Sequence, residues 1–240
     1  MNYKEQFYNK YVSKNTKFLY GKLTIEDIKK QFLFWDAYFR KFLPQNKQAL
    51  IMELGCGSGG FIHWLQSIGY LNAGGIDISS EQISEAKKFG IKNVNKADIK
   101  EFIKNKNEVY DIIFMRDILE HFTKDEILGI LESVFKSIKT GGKIIIQIPN
   151  AENILSGRLR YGDFTHEVGF TADSIKQLLA VSGFKDISVF GPYPIIHGLK
   201  SLARFILWKF FELCLRFYLL VETGLSKGIF SQNIIAVAGK

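Results

Sequence analysis

Cysteine and proline are scarce in this 240-residue chain, with 2 and 4 copies respectively. Two cysteines cannot build a disulfide framework, and no Cys/His spacing suggests a structural zinc site. The first residues, Met1-Asn2-Tyr3-Lys4-Glu5, lack the apolar run of a secretory signal, so a cytoplasmic protein is the default expectation. Internal repeats and low-complexity tracts are also missing. What is present is ordinary globular material: 47% hydrophobic and 23% charged residues, which excludes a disordered or fibrous chain. The length suits one large domain, or one and a half small ones, with a sizeable core.

The formal net charge of +8 is unevenly spread. Residues 1–47 carry +6, residues 48–190 carry −2 and residues 191–240 carry +4. Basic ends fit nucleic acid, an anionic membrane surface or a phosphorylated substrate, and equally a simple need for solubility.

Residues 1–47 read as a helical cap. Thr24 followed by Asp27 resembles an N-cap, the run 28–42 has helical apolar spacing, and Pro44 ends it. Its many aromatics suit a helix packed on a sheet, or a lid over a cleft. From residue 48 short apolar runs alternate with helical patterns. Strands are expected at 49–53, 73–78, 93–97, 110–115 and 143–148. Helices are expected at 61–68, 80–89 and 124–138, the last broken by Thr140-Gly141-Gly142. A further helix opens at Thr171 or Asp173 and closes at Gly183, and two final strands lie at 186–190 and 232–238. This alternation predicts an α/β, doubly wound, mostly parallel sheet, and apolar runs without period-two alternation fit strands buried on both faces. The core would comprise 48–190 and 230–240, interrupted by a helical insertion at 191–229.

The central motif is Glu53-Leu54-Gly55-Cys56-Gly57-Ser58-Gly59, between a strand and a helix. Glycines there permit a sharp turn and let a ligand approach the main chain. The helix start beyond offers free N–H groups. Such spacing alone is shared with dinucleotide-binding folds. Two acids sharpen it. Asp77 ends the second strand and is placed to accept both ribose hydroxyls of a nucleoside; Asp98 ends the third and would accept from an adenine amine. A single such acid is commonly a helix N-cap, but three at successive strand ends point to a ligand.

These segments, with Gly75 to Ser79, Ala97-Asp98, Tyr110 to Phe122 and Lys139-Thr140-Gly141-Gly142-Lys143, resemble the successive motifs of class I S-adenosylmethionine-dependent methyltransferases. The resemblance spans about residues 48–190 plus the last strand. It implies a seven-stranded sheet with an antiparallel final strand, S-adenosylmethionine as cofactor and S-adenosylhomocysteine as product. By the same resemblance, Glu53, Gly55, Cys56 and Gly57 would face the methionine and ribose parts of the cofactor. Asp77 would hold the ribose and Ile78 would pack on the adenine. Asp98 and Ile99 would hold its other edge, and Arg116 and Asp117 would lie near the transferable methyl. Cys56 is read as a small turn residue, not a catalytic thiol.

Methyl transfer needs alignment of nucleophile and methyl. An oxygen nucleophile usually also needs a base or a metal, whereas amines often need only a neutral form. The histidines therefore matter. By the resemblance, His121 belongs to the common signature Asp117-Ile118-Leu119-Glu120-His121, and a structural role is its other reading. His166 lies in the unusually ionic loop 158–167, which in this fold flanks the substrate mouth. One reading is a solvated loop. The other is an acceptor site with His166 as general base, supported by His121 and Asp117, and with Arg158, Arg160, Tyr161, Asp163 and Glu167 contacting the acceptor, the arginines gripping an anion such as phosphate. No metal is expected, although Asp163, His166 and Glu167 form an alternative set of ligands. His63 is expected to be structural. Nucleic acid is not expected as a substrate, because Arg116-Asp117-Ile118 replaces the Asn/Asp-Pro-Pro-Tyr/Phe pattern and no stacking motif accompanies the basic residues.

Residues 198–222 read as one long helix with an unbroken apolar arc. Interspersed charges argue against spanning a membrane. Such an arc is buried against the domain or a second subunit, as in a homodimer, or lies in a membrane interface. Together with Asp163-Phe164-Thr165-His166-Glu167 the helix resembles methyltransferases of bacterial surface-polysaccharide assembly. That implies a sugar hydroxyl as acceptor, on a phosphate- or lipid-linked glycan, and peripheral contact with the inner face of the membrane. A quinone or amino-sugar methyltransferase, or a non-catalytic protein of the same fold, remain the alternatives.

Overall fold

The computed structural model describes residues 3–16 and 23–240; the remainder of the N-terminal cap lies outside the described residues. The N-terminal portion comprises α1 (Tyr3–Tyr8), a π-helical turn (Tyr11–Thr16), α2 (Ile25–Lys30) and α3 (Phe32–Phe39) with a short 3-10 continuation. Thr24 caps α2 as expected, its side chain accepting from the Asp27 N–H. The single helix expected over 28–42 is instead interrupted at Gln31, which serves as C-cap of α2 and N-cap of α3. The interruption re-aims the second piece. Trp35 and Phe39 on α3 then reach Phe61 edge-on, at 5.4 and 5.5 Å between ring centroids.

The α/β alternation then runs β1 (Ile51–Leu54), α4 (Gly60–Ser67), β2 (Gly74–Asp77), α5 (Ser80–Lys88), β3 (Val94–Lys96), α6 (Ile99–Ile103), β4 (Tyr110–Arg116), α7 (Lys124–Ser137) and β5 (Ile138–Pro149). It closes with α8 (Ser156–Arg160), α9 (Ala172–Val181), β6 (Lys185–Phe190), α10 (Leu199–Thr223) and β7 (Asn233–Gly239). Among the described residues these strands form one seven-stranded sheet in the order β3-β2-β1-β4-β5-β7-β6, with β7 antiparallel to both neighbours. The strand order reverses between β1 and β4, which places the ligand-binding crevice of a doubly wound sheet at their carboxyl ends.

The apolar runs are explained by burial on both faces. Ile112, Phe114, Ile145, Ile235 and Val237 pack toward α3, α4 and α5, while Ile113, Met115, Ile144, Ile146 and Ile234 pack toward α7 and α9. One boundary differs from expectation. The segment Thr140-Gly141-Gly142 does not precede β5 but lies within it, because Gly141 takes a left-handed φ of 80° and the pairing with β4 shifts register there. A bulge absorbs the glycines without ending the strand.

Helix α7, which carries the expected pattern, starts with a reciprocal capping box: Thr123 Oγ1 accepts from the Glu126 N–H, and Glu126 Oε2 accepts from the Thr123 N–H at 2.9 Å. Lys100 Nζ donates to the other Glu126 oxygen at 2.9 Å. Burial opposes the charge, but these hydrogen bonds win and hold the carboxyl at about 2, below its ordinary 4.5. A folded-state value below the unfolded one means stability present above pH 4.5 and lost as the pH falls toward 2. Glu126→Gln is therefore expected to lower stability by about 1 kcal/mol at pH 7. The deficit should shrink in urea titrations repeated at successively lower pH. A deficit of equal size at pH 7 and pH 3 would assign the loss to something other than this carboxylate's charge.

Candidate active site

The glycine-rich turn is clamped between β1 and β2. The N–H groups of Gly55 and Cys56 both donate to the Ile76 carbonyl, at 2.9 and 2.8 Å. Gly55 has φ of 81°, and a Cβ on it would lie 2.7 Å from Ile118 Cγ1. Neither conformation nor space allows another residue. Gly57, with φ of 53°, turns its N–H onto Asp77 Oδ2 at 2.9 Å, while Asp77 Oδ1 accepts from the Ser79 N–H at 2.8 Å. Burial pushes the Asp77 carboxyl up against these two bonds. Each of its oxygens keeps a second lone pair, so the same side chain that braces the turn remains able to accept from a ligand.

Glu53 is wholly buried at the end of β1. Its Oε1 accepts from Arg116 Nε at 2.8 Å, across the switch point from β4. Its Oε2 is buried with no hydrogen-bond partner among the described residues. Burial raises the Glu53 carboxyl more than Arg116 lowers it. The Arg116 guanidinium lies 4.2 Å from the Phe61 ring centroid and 5.1 Å from that of Trp35. An arginine paired to Glu53 and backed by aromatic rings orients that carboxylate. Asp98 is the N-cap of α6, with Oδ1 accepting from the N–H groups of Lys100 and Glu101. Ile78 is exposed and Ile99 buried. Cys56 is buried, which pushes its thiol up and leaves it inert.

On the other side of the switch point, Asp117 has a left-handed φ of 50° and its Oδ2 accepts from Gln147 Nε2 at 2.8 Å. Next come Glu120 and His121. Glu120 is 2% exposed, and neither carboxyl oxygen has a hydrogen-bond partner among the described residues. Burial, with help from the Asp117 charge, raises its carboxyl well above the ordinary value. Its backbone carbonyl accepts from the N–H groups of Glu167 and Val168, which brings the 158–167 loop over the strand tips. His166 thereby stands with Nε2 at 4.0 Å from Glu120 Oε1 and its ring centroid 4.7 Å from that of His121. Burial lowers His121 to about 4, with the neighbouring His166 adding to the effect.

The ionic loop is tied to the N-terminal cap. Asp163 accepts from Tyr11 Oη at 3.0 Å and from the Thr165 hydroxyl at 2.7 Å. Glu167 pairs with Lys4 at 3.0 Å and accepts from the Tyr3 hydroxyl. Lys4 also donates to the His121 carbonyl at 2.7 Å, and Phe7 stacks on Phe164. Of the two readings of the aromatic run 28–42, packing on the sheet is the one seen; it is residues 3–16 that contact the ionic loop. Arg160 donates to the Glu167 carbonyl and holds the loop. Of the five residues expected to meet an acceptor, Asp163, Glu167 and Arg160 are engaged within the protein. Arg158 and Tyr161 face outward. His63 packs on Phe32 at 5.5 Å, as a structural residue would. The sequence reading overlooked Glu120, although it stands in the quoted signature beside His121. It also missed Tyr3, Lys4 and Tyr11, whose partners lie some 150 residues away.

The insertion helix α10 inverts one expectation. Its apolar arc is not buried against the domain: Phe210, Leu213, Phe217 and Val221 are exposed. The side turned inward carries Glu212, 7% exposed and paired with Lys209 and Arg216 at 2.8 Å each. Neutralised by neighbours one turn away on the same helix, Glu212 can face the protein at little electrostatic cost.

An open sheet with a glycine turn and successive acids at the tips of β1, β2 and β3 defines a nucleoside-binding α/β enzyme. The sequence profile of the methyltransferase domain matches residues 28–189, and the chain belongs to that family. It is an enzyme that uses S-adenosylmethionine as methyl donor. Solved structures share the whole fold. A S-adenosylmethionine-dependent methyltransferase from Archaeoglobus fulgidus is 20% identical with a TM-score of 0.65, covering 100% of both chains. One from Mesorhizobium loti is 18% identical with a TM-score of 0.60, over 87% of this chain and 98% of that one. Phosphoethanolamine N-methyltransferase 2 of Haemonchus contortus, in complex with phosphomonomethylethanolamine and S-adenosylhomocysteine, is 18% identical with a TM-score of 0.61, over 97% of this chain and 60% of that one. No curated protein matches the chain in sequence.

Arg116→Met would leave the buried Glu53 without its counter-charge. The expected loss is about 3–5 kcal/mol in urea unfolding. Adding Glu53→Gln should recover part of it, because the penalty belongs to the orphaned acid. A double variant no more stable than Arg116→Met would contradict that assignment.

Proposed function

We propose that the enzyme transfers the methyl group to a hydroxyl of a saccharide, borne on a phosphate- or lipid-linked carrier. Bound S-adenosylmethionine supplies a methyl made electrophilic by a positively charged sulfur. The residues around the switch point fit such a cofactor. Glu53 Oε2, buried and unpartnered, would accept from the methionine ammonium, and Arg116 positions Glu53 through its pair. Gly55, Cys56 and Gly57 offer a turn without bulky side chains. Asp77, with its remaining lone pairs, would accept from the ribose hydroxyls, Ile78 would cover the adenine, and Asp98 and Ile99 would line its far edge.

The observation that carries the acceptor class is the imidazole pair at the mouth. His166 Nδ1 lies 3.0 Å from the Leu159 carbonyl, an acceptor only, so Nδ1 carries the proton and Nε2 the lone pair. A hydroxyl must lose its proton as the new C–O bond forms, and Nε2 of His166 is built to receive it. An amine acceptor would need no such group. Asp117 and His121 support this wall of the site. Arg158, exposed beside it, suits a phosphate. Tyr161 is 81% exposed, and such an open ring suits a sugar face.

Incubation with labelled cofactor and a panel of nucleotide sugars, lipid-linked glycans, quinones and amino sugars tests this. A methyl ether on a sugar, identified by mass spectrometry, is expected. Methylation confined to an amine or a quinone would replace the reading. His166→Ala should keep S-adenosylhomocysteine affinity while turnover falls about 100-fold or more; unchanged turnover would remove His166 from the chemistry.

A second observation favours a lipid-linked acceptor. The outward apolar face of α10 spans 25 residues, with Lys200 and Arg204 exposed near its start. No helix among the described residues is long and apolar enough to cross a membrane. A basic, aromatic face of this kind lies in the headgroup region of an anionic bilayer. The protein should therefore float with phosphatidylglycerol vesicles and less with neutral ones. Phe210→Ser/Phe217→Ser should abolish flotation while leaving thermal unfolding unchanged. Flotation retained in the double variant, or a stable dimer that the variant dissociates, would reassign this face.

A further inference from the structure

We propose that Glu120, His121 and His166 form a binding site for one divalent transition-metal cation at the acceptor mouth. Their ligand atoms lie within 4.8 Å of one another. Ligands about 2.1 Å from a shared ion are roughly 3–4 Å apart, so the widest pair need close by only about 1 Å. His166 Nε2 and Glu120 Oε1, at 4.0 Å, are already near that range.

Two further features point the same way. Glu120 is nine-tenths or more buried, and both its oxygens lack hydrogen-bond partners among the described residues. A buried carboxylate without a counter-charge is costly, and a cation held by it removes the cost. The second feature is tautomeric. The Thr165 hydroxyl donates its one proton to Asp163 Oδ1 at 2.7 Å, so at 2.8 Å it must accept from His121 Nδ1. His166 Nδ1 likewise donates to the Leu159 carbonyl. Both rings therefore present Nε2 as a lone pair, each fixed from behind by a carbonyl or by a carboxylate-backed hydroxyl, as metal-binding imidazoles are.

Two imidazoles and one carboxylate suit manganese, iron, cobalt or zinc better than magnesium or calcium. Three protein ligands leave positions open for the acceptor. A hydroxyl bound there would release its proton to solvent near neutral pH, with His166 acting as ligand in place of proton acceptor. That role deepens the hydroxyl reading and rests on it; the existence of the site does not.

The test uses the untagged full-length protein, stripped with a chelator and saturated with S-adenosylhomocysteine. Cobalt(II) titrated in should bind at one per chain, by calorimetry and by the visible absorption of the bound ion, and zinc should displace it. Glu120→Gln and His166→Asn should each weaken binding at least tenfold, with S-adenosylhomocysteine affinity unchanged and with metal-free thermal unfolding not lowered. Absence of stoichiometric binding in the wild type overturns the proposal, and so do titrations of both variants that superimpose on it. Because His166 is on the protein surface side of the cluster, His166→Asn remains informative should Glu120→Gln fail to fold. Binding without any methyl ether in the acceptor panel supports the site and removes the hydroxyl reading. Methyl ether formed at full rate in the presence of chelator, with no cobalt bound, keeps that reading and removes the site.

Discussion

Carboxylates held in the interior at the tips of parallel strands are the constraint around which this structure is arranged. Glu53 ends β1 and Asp77 ends β2, and Glu120 follows β4 by a few residues. Glu53 and Glu120 are removed from water and Asp77 is half-buried, and each meets the cost differently. Glu53 takes one bond from Arg116 and keeps one oxygen unpartnered. Asp77 takes two backbone N–H bonds. Glu120 has neither. A fold that needed only stability would replace such groups with apolar ones of similar size. Their retention at the switch point is understandable if ligands complete what the protein leaves open.

The arrangement also explains why the N-terminal cap is in two functional parts. Residues 25–42 complete the sheet's apolar face, where Trp35 and Phe39 join Phe61 and Trp64. Residues 3–16 do different work. Through Lys4, Tyr3 and Tyr11 they fasten Glu167 and Asp163, and Lys4 reaches the His121 carbonyl. These are polar, largely half-exposed contacts, and exposed ion pairs contribute little each. Contacts of this kind can open at modest cost.

Much of the fold was legible in the sequence because it rests on local pattern. Apolar runs such as Ile112 to Met115 and Ile144 to Ile148 mark strands buried on both sides, and Thr123 with Glu126 marks a helix start. Asp77 was legible too, since its place one strand beyond the glycine turn follows from topology. The illegible parts depend on geometry between distant residues. Nothing local tells that Glu167 meets Lys4 and Tyr3, or that Arg160 turns back onto its own loop. Gln31 carries no strong breaking signal, so the division of the 28–42 helix follows from the packing of Trp35 and Phe39 and not from propensity. The signature Asp117-Ile118-Leu119-Glu120-His121 shows which residues are near one another but not that Glu120 points inward without a partner.

The orientation of α10 is the most instructive of these. Periodicity established an apolar arc and a mixed opposite half, and an apolar arc ordinarily turns inward. Here Glu212 sits between Lys209 three residues before it and Arg216 four residues after it, and the three form one compact unit in which the inward carboxylate is paired with both cations. Arg216 further donates to the carbonyls of Ser226 and Gly228, which return the chain toward β7. The polar side thus supplies hydrogen bonds that an apolar side could not give to that returning segment. With the inward side fixed by those bonds, the phenylalanines and leucines have only the outward direction left. Their exposure is therefore a consequence of how the insertion rejoins the sheet, and it creates an apolar surface on the same chain that holds the polar, ionisable cluster of Glu120, His121 and His166. An acceptor with a polar head and an apolar tail would match both.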